Sequence, residues 1–271
     1  MGGGFADRRK LALQRARAAR DGVTFLRETV IAEVQDRLAE VNRRFTAPAV
    51  VTGWPELWSG WPVVVADEPV LTLEPGAHDL VVHDMALHWA DDPVGQLVQC
   101  RRALGPDGLM IATLFGGQTL QELRAALAQA EADVTGGLSP RVAPMGEIRD
   151  LGGLLQRAGF ALPVADAMSL DVSYESAFAL MRDLRGMGET NALAGRRRGM
   201  TRRGIMLRAA EIYGERSGRG GGRVRASFEV IVLTGWAPGP DQPQPLRPGS
   251  AAMRLAEALG VGEHSLERPG D

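Results

Sequence analysis

The chain has 271 residues, 45% of them hydrophobic and 24% charged, which is the profile of an ordinary globular protein long enough to bury a sizeable core. Its formal net charge of -2 argues against a generally nucleic-acid-binding surface, and no apolar run of roughly 18 residues is present to cross a membrane. The lone cysteine, Cys100, cannot form an internal disulfide, which fits a reducing, cytoplasmic compartment.

Residues 1–44 are rich in arginine (Arg8, Arg9, Arg15, Arg17, Arg20), with Asp7, Asp21, Glu28, Glu33 and Asp36 interspersed. Organellar transit peptides are poor in acids, so this stretch is read as a helical segment of the fold. Phe25, Val30, Ile31, Val34, Leu38 and Val41 recur at helical spacing and predict a helix lying over an edge or face of a sheet. A first strand is expected at 47–53. Three further apolar runs, at 63–65, 80–82 and 109–114, read as buried strands. The spacing of Val94, Leu97, Val98 and Leu104 predicts a helix over 92–104, with Cys100 a buried thiol within it. Gly105-Pro106-Asp107-Gly108 then signals a turn before the next strand. The grammar is that of an open α/β sheet with crossover helices. Residues 63–66 are expected to pair in parallel with 80–83, and 80–83 with 109–114.

Beyond the fourth strand, Gly116-Gly117 permits unusual backbone angles, but no lysine follows, which rules out a nucleotide P-loop. Thr119 is expected to cap a helix over 120–132, with Glu122 in its first turn. A second helix is predicted over 148–158, with Leu151, Leu154 and Leu155 inward and Gly159 at its end. Strands are expected at 160–167 and 170–172. Residues 174–217 read as mostly helical, with Phe178, Leu180, Met181 and Leu184 as the first stripe. Arg196, Arg197, Arg198, Arg202 and Arg203 form either a solvated basic face or a docking surface for an acidic partner. A last strand is expected at 224–236. A proline-rich tail, 237–271, follows, with a short helix at 251–259. The domain organisation is therefore a helical segment 1–44, an α/β domain 45–236 with its helical insertion at 174–217, and the tail.

Candidate functional residues gather at strand ends. A carboxylate at the C-terminal end of a strand faces the ligand crevice of an open sheet, which is where Asp67 and Glu68 fall. His83, Asp84 and His88 invite comparison with a two-histidine, one-carboxylate metal site, but their spacing is not a standard ligand motif and no metal is assigned. His88 and Trp89 either line a pocket or serve the sheet edge structurally. No catalytic triad motif and no CxxC pair occurs.

Several words in the chain carry a family resemblance. HDLVV, LHW and LGPDG resemble the second half of a class I S-adenosylmethionine (SAM) methyltransferase domain. The more specific segments, LFGGQTLQELR at 114–124, GGLSPRVAPMGEIRDLGGLLQRAGF at 136–160, LMRDLRGMGETNAL at 180–193 and FEVIVLTGW at 228–236, resemble a methyltransferase-like assembly factor of respiratory complex I, in a bacterial-type member. The match extends from about Phe5 to PLRPGSA at 245–251. The resemblance implies a Rossmann-like methyltransferase fold and a complex I peripheral-arm subunit as partner, with protein-arginine hydroxylation as the activity of some members. It assigns Gly53, Asp67, Glu68, His88 and Trp89 to cofactor binding. Glu189, Asn191 and Arg141 are its candidates for chemistry, with Glu189 offered to a substrate arginine.

The chain departs from the methyltransferase pattern at the cofactor turn. Only Gly53 survives there, before Trp54 and Pro55. The strand at 63–65, ending in Asp67-Glu68, resembles the family's third strand, so the second strand and its ribose-binding acid are missing. Weak or lost SAM binding is the expectation. An active methyltransferase, similar to the carrier-protein carboxyl methyltransferase of biotin synthesis, and a non-catalytic interaction protein are the alternatives.

Overall fold

A computed structural model describes residues 4–240 and 242. The segments 245–251 and 251–259 lie outside the described residues. The compact unit Met1–Gly239 carries all the elements below.

Two helices come first, α1 (Arg8–Asp21) and α2 (Phe25–Glu40). Asp7 caps α1 by accepting from the Lys10 amide at 3.0 Å. Gly22, at φ +65°, ends it in the left-handed conformation that glycine adopts without a steric penalty. The sheet follows: β1 (Pro48–Thr52), β2 (Val63–Ala66), β3 (His78–Asp84), then α3 (Pro93–Ala103) and β4 (Leu104–Phe115). The helices α4 (Gln121–Thr135) and α5 (Ile148–Arg157) lead to β5 (Ala161–Tyr174), and α6 (Ala177–Gly186) and α7 (Arg203–Ser217) precede β6 (Val224–Trp236).

The six strands lie in the order β2-β1-β3-β4-β6-β5. The first four are parallel, and β6 runs antiparallel to both β4 and β5. This is the Rossmann-like class I methyltransferase sheet with a shortened N-terminal half and a helical excursion before its last strand. One pairing differs from expectation. Residues 63–66 do not pair with 80–83. They pair with β1, in the register Ala49↔Val63 to Thr52↔Ala66, so β1 lies between them and β3. Adjacency in sequence misleads here because the chain crosses over β1. β2 takes the place beside β1 that a second strand would otherwise occupy.

Strand alternation sorts the core onto two faces. Val50, Leu80, Val82 and Ile111 point to one side and pack with Val34, Ile31 and Leu38 of α2. Ala49, Val51, Val81, Met110 and Ala112 point to the other, against Leu97 and Cys100 of α3 and Leu155 of α5. Each fully buried Val, Leu or Ile contributes about 1.5–3 kcal/mol, so both faces are strongly specified. A third cluster is built by the excursion. Leu180 and Leu184 of α6, Ile205 and Ile212 of α7, and Leu123 of α4 pack over Phe115, Phe228 and Val230.

Four local expectations are corrected. The 105–108 turn is absorbed into β4 as an irregularity, with Asp107 at φ +58° and a register shift between His78 and Leu80. Thr119 does not cap α4. Its hydroxyl bonds across to β6, donating to the Glu229 carbonyl at 2.9 Å and accepting from the Glu229 amide at 3.0 Å, while Leu120 begins the helix in a left-handed conformation. The two strands expected at 160–167 and 170–172 are one continuous β5, because β6 supplies a full-length antiparallel partner. Phe178 lies on the outer side of α6, 42% exposed, although Leu180 and Leu184 of the same predicted stripe are buried.

Candidate functional site: a crevice filled by arginines beside a large cavity

The crevice opens at the C-terminal ends of β1, β2 and β3. Thr52, the last residue of β1, donates its hydroxyl to Asp84 Oδ2 at 2.8 Å, and Trp58 Nε1 donates to the same oxygen at 2.9 Å. The Trp54 amide donates to Thr52 Oγ1 at 3.0 Å. The turn after β1 is therefore tied down around Asp84, and the buried indole of Trp54 occupies the crevice wall. Asp67, at the end of β2, is also buried, and its carboxylate is engaged. Arg15 Nη1 donates to Oδ1 at 2.6 Å and Arg8 Nη1 to Oδ2 at 3.3 Å. Burial pushes the Asp67 carboxyl upward, but the neighbouring guanidiniums of Arg15 and Arg8 outweigh it and hold its pKa below the ordinary value. Arg15 lies so close over Gly53 that a Cβ there would collide with the guanidinium. Glu68 is mostly exposed and reaches Arg8 only at 3.8 Å.

A second cation stands beside the first. Arg27 of α2, its side chain 4% exposed, stacks over the Trp54 ring at 4.8 Å and donates to Glu189 Oε1 at 2.5 Å. The other Glu189 oxygen accepts from Trp89 Nε1 at 2.9 Å and faces His88 Nε2 at 3.4 Å. Burial favours the neutral acid, yet the bond and charge of His88 and the charges of Arg27 and Arg15 prevail, lowering the carboxyl to about 2. The backbone explains how Glu189 gets there. Gly188 sits at φ +74°, where a Cβ would press on the Trp54 ring at 3.0 Å. A glycine allows the chain to turn off α6 tightly against Trp54 and deliver Glu189 inward.

Glu189, His88 and Trp89 are thus brought together, while Gly53, Asp67 and Glu68 form a separate group around Arg15 and Arg8. His83 is buried and hydrogen-bonded through Nε2 to Gln96 at 2.8 Å, with burial lowering its pKa. Burial raises the Cys100 thiol to about 12. Among the described residues no group of His, Cys, Asp and Glu side chains is arranged to hold a metal ion.

Arg141, Glu189 and Asn191 line one cavity of about 960 Å³, bounded by α1, α4, α6 and the 141–145 and 190–201 loops. Arg141 grips Glu131 with two bonds, Nη2 to Oε1 at 2.7 Å and Nε to Oε2 at 3.0 Å, and reaches Thr201 with its remaining terminal nitrogen. The Arg141 hydrogen bond leads in lowering the Glu131 carboxyl to about 2, with Ser139 adding its own bonds. Asn191 bridges the loops, donating to the Pro140 carbonyl at 2.8 Å and accepting from the Leu193 amide at 3.0 Å. The GGLSPR and GMGETN words therefore meet in space, at one wall of the cavity.

Sequence reading missed the arginines of the crevice as site residues. A signal existed. Arg8, Leu11, Arg15 and Ala18 share one helical face with Leu11 and Ala18 buried, and Arg27 stands one turn before Val30 and Val34 on the buried face of α2. A cation within an apolar stripe requires a buried partner.

No protein-family model matches the chain. It is 39% identical over 200 residues to arginine-hydroxylase NDUFAF5, mitochondrial, of Danio rerio, covering 74% of this chain and 62% of that one. The human protein of the same name is 40% identical over 194 residues, 72% of this chain and 56% of that one. Malonyl-[acyl-carrier protein] O-methyltransferase of Methylovorus sp. is 36% identical over 175 residues, 65% of this chain and 56% of that one. The chain thus spans less than two thirds of the length of these curated relatives. Among solved structures, the YcgJ protein of Bacillus subtilis aligns with a TM-score of 0.47 at 10% identity, over 74% of this chain and 96% of that one. The chain is a homologue of the arginine-hydroxylase NDUFAF5 proteins and of the malonyl-[acyl-carrier protein] O-methyltransferases, with a class I methyltransferase-like fold.

Proposed function

We propose that this chain is a cytoplasmic assembly protein of respiratory complex I, which binds a peripheral-arm subunit and has lost productive SAM binding. The observation that carries the reading is Arg15, held over Gly53 by the buried Asp67. SAM would need a glycine turn that admits its methionine portion and free acids for its hydroxyl and amino groups. Here Trp54 and Pro55 stand in the turn. Asp67, the acid that follows the strand beside β1, is neutralised by Arg15 and Arg8. The residues present do not fit SAM. Each missing hydrogen bond to a buried ligand weakens binding by about 0.5–1.5 kcal/mol, so two or three lost bonds cost roughly tenfold to a thousandfold.

The partner assignment rests on the resemblance in 136–160 and 180–193, whose residues form the cavity wall around Arg141 and Asn191. Glu189 is not free to receive a substrate guanidinium. Arg27 already fills that role within the chain, so Glu189 is a positioning residue for the loop. Three experiments test the proposal. Calorimetric titration should give no SAM binding in the low micromolar range; a low-micromolar dissociation constant overturns the lost-cofactor reading. Deleting the gene should lower assembled NADH:quinone oxidoreductase, with rescue by the wild-type chain. Normal enzyme levels in the deletion strain reject the assembly role. Mass analysis of the peripheral-arm subunits from both strains reads out arginine hydroxylation directly, and an arginine hydroxylated only when the gene is present adds that chemistry to the role.

A further inference from the structure

We propose that the 960 Å³ cavity is a binding site for a single-chain amphiphilic anion, with a hydrocarbon tail and a carboxylate or phosphate head. The volume is at the upper end of ordinary small-ligand sites, about 300–1,000 Å³. Its inner wall is apolar. Phe115 and Phe228 from the sheet, Leu123 and Leu127 from α4, and Met145 and Met181 offer no charged group to a ligand. Unbranched, polarizable methionines adapt to a flexible chain.

The mouth is of one sign. Lys10, Arg17, Arg20, Arg185, Arg197 and Arg198 line it, and none of them forms an ion pair among the described residues. The two acids on the lining are already neutralised, Asp7 by Arg196 at 2.9 Å and Glu189 by Arg27 at 2.5 Å. Arg141 and Arg196 are the lining cations with internal partners. An apolar chamber beneath uncompensated cations favours a ligand that is itself divided, with its tail desolvated inside and its charge at the rim. A cationic amphiphile meets the same rim with the wrong sign. A bare anion leaves the chamber unfilled. The inference does not depend on the assembly role, since it uses only the chamber and its rim.

The test is calorimetric titration of the whole chain with laurate and with dodecyl phosphate, below their micellar concentrations. Octanoate, dodecanol, dodecyltrimethylammonium and inorganic phosphate serve as comparators. Seating each methylene tightens binding about fourfold. Laurate should therefore bind with one site, on the order of a hundredfold more tightly than octanoate. Dodecanol should bind at least about tenfold more weakly than laurate, and the cationic detergent should give no saturable binding. The paired substitutions Arg197→Glu and Arg198→Glu alter exposed side chains, so the melting temperature should stay fixed while laurate binding falls at least about tenfold. Absence of laurate and dodecyl phosphate binding overturns the proposal. So does equal binding of dodecanol, which would mean an apolar hole indifferent to charge, or equal binding of inorganic phosphate. A tailless polyglutamate peptide that displaces laurate and binds as tightly would also overturn it, assigning the rim to an acidic protein.

Discussion

Removing Glu189 should destabilise the fold through the cation it leaves behind. Both members of the Arg27–Glu189 pair are buried, with side chains 4% and 7% exposed. Arg27 has no other ion-pair partner among the described residues, and its Nε and Nη1 lack hydrogen-bond partners. Breaking a buried pair from one side costs about 3–5 kcal/mol, because the remaining charge stays desolvated. The Trp89 indole also loses its acceptor. For a unit of this size, one kcal/mol corresponds to about 2–4 °C in melting temperature, so Glu189→Ala should lower it by roughly 6–20 °C. Arg27→Met should fall in the same range. The double variant, Arg27→Met with Glu189→Leu, removes both charges and should recover most of the loss, since replacing a buried pair with apolar groups is often neutral. Thermal unfolding by circular dichroism, with the double-mutant cycle closed, measures all three. A Glu189→Ala shift under about 2 °C, or a double variant no more stable than the worse single, would refute the pairing argument.

The other expectations concern neighbouring parts. Gly188→Ala forces a side chain to φ +74° against Trp54 and should cost about 1–3 kcal/mol, read by urea unfolding; an unchanged midpoint would remove the strain argument. Thr119→Val breaks both bonds to the Glu229 backbone and should cost about 1–3 kcal/mol, whereas Thr119→Ser should retain most of the stability. Glu189 and Glu131 are both held at about 2 in the folded chain, below the unfolded value of about 4.3. Their contribution is therefore complete above the unfolded pKa and is lost as pH falls from about 4.5 toward 2. Unfolding curves should show this acid loss, and Glu131→Gln should flatten part of it; an unchanged pH slope in that variant would contradict the Arg141 pairing.

The sequence made the strands legible because their apolar runs are short, β-branched and bounded by turns: β2, β3 and β6 fall where Val63, Leu80 and Val224 signalled them. Pairing was less legible, since which strand lies beside Val63–Ala66 is decided by a crossover and not by any local pattern. Capping at Thr119 failed for a related reason. Its hydroxyl had a local use, but a strand more than a hundred residues away offered two bonds in place of one. The candidate site was half visible. His88, Trp89 and Glu189 could be named from motif words, but not that a single carboxylate joins them. Arg15 and Arg27 were hidden because an arginine in an arginine-rich helix looks solvated until its burial is known.

The arginines that fill the crevice have one physical explanation. A sheet of this class ends its parallel strands in carboxylates that a bound ligand ordinarily helps to satisfy. Here Asp67 is buried and Asp84 is almost inaccessible, and an isolated buried carboxylate is costly enough that it needs a permanent partner. With the cofactor turn replaced by Trp54 and Pro55, α1 and α2 supply the compensation: Arg15 and Arg8 at Asp67, and Arg27 stacked on Trp54 and bonded to Glu189. The N-terminal helices are thus bound into the site by charge as well as by apolar packing. Removing one arginine does not simply reopen the crevice, because it strands an acid whose burial that arginine made tolerable. On the proposed reading, admitting SAM would require a glycine turn in place of Trp54 and Pro55 together with the loss of Arg15 from above Gly53. The crevice is for that reason held together by its own ion pairs, which join α1 and α2 to the strand ends and to Glu189.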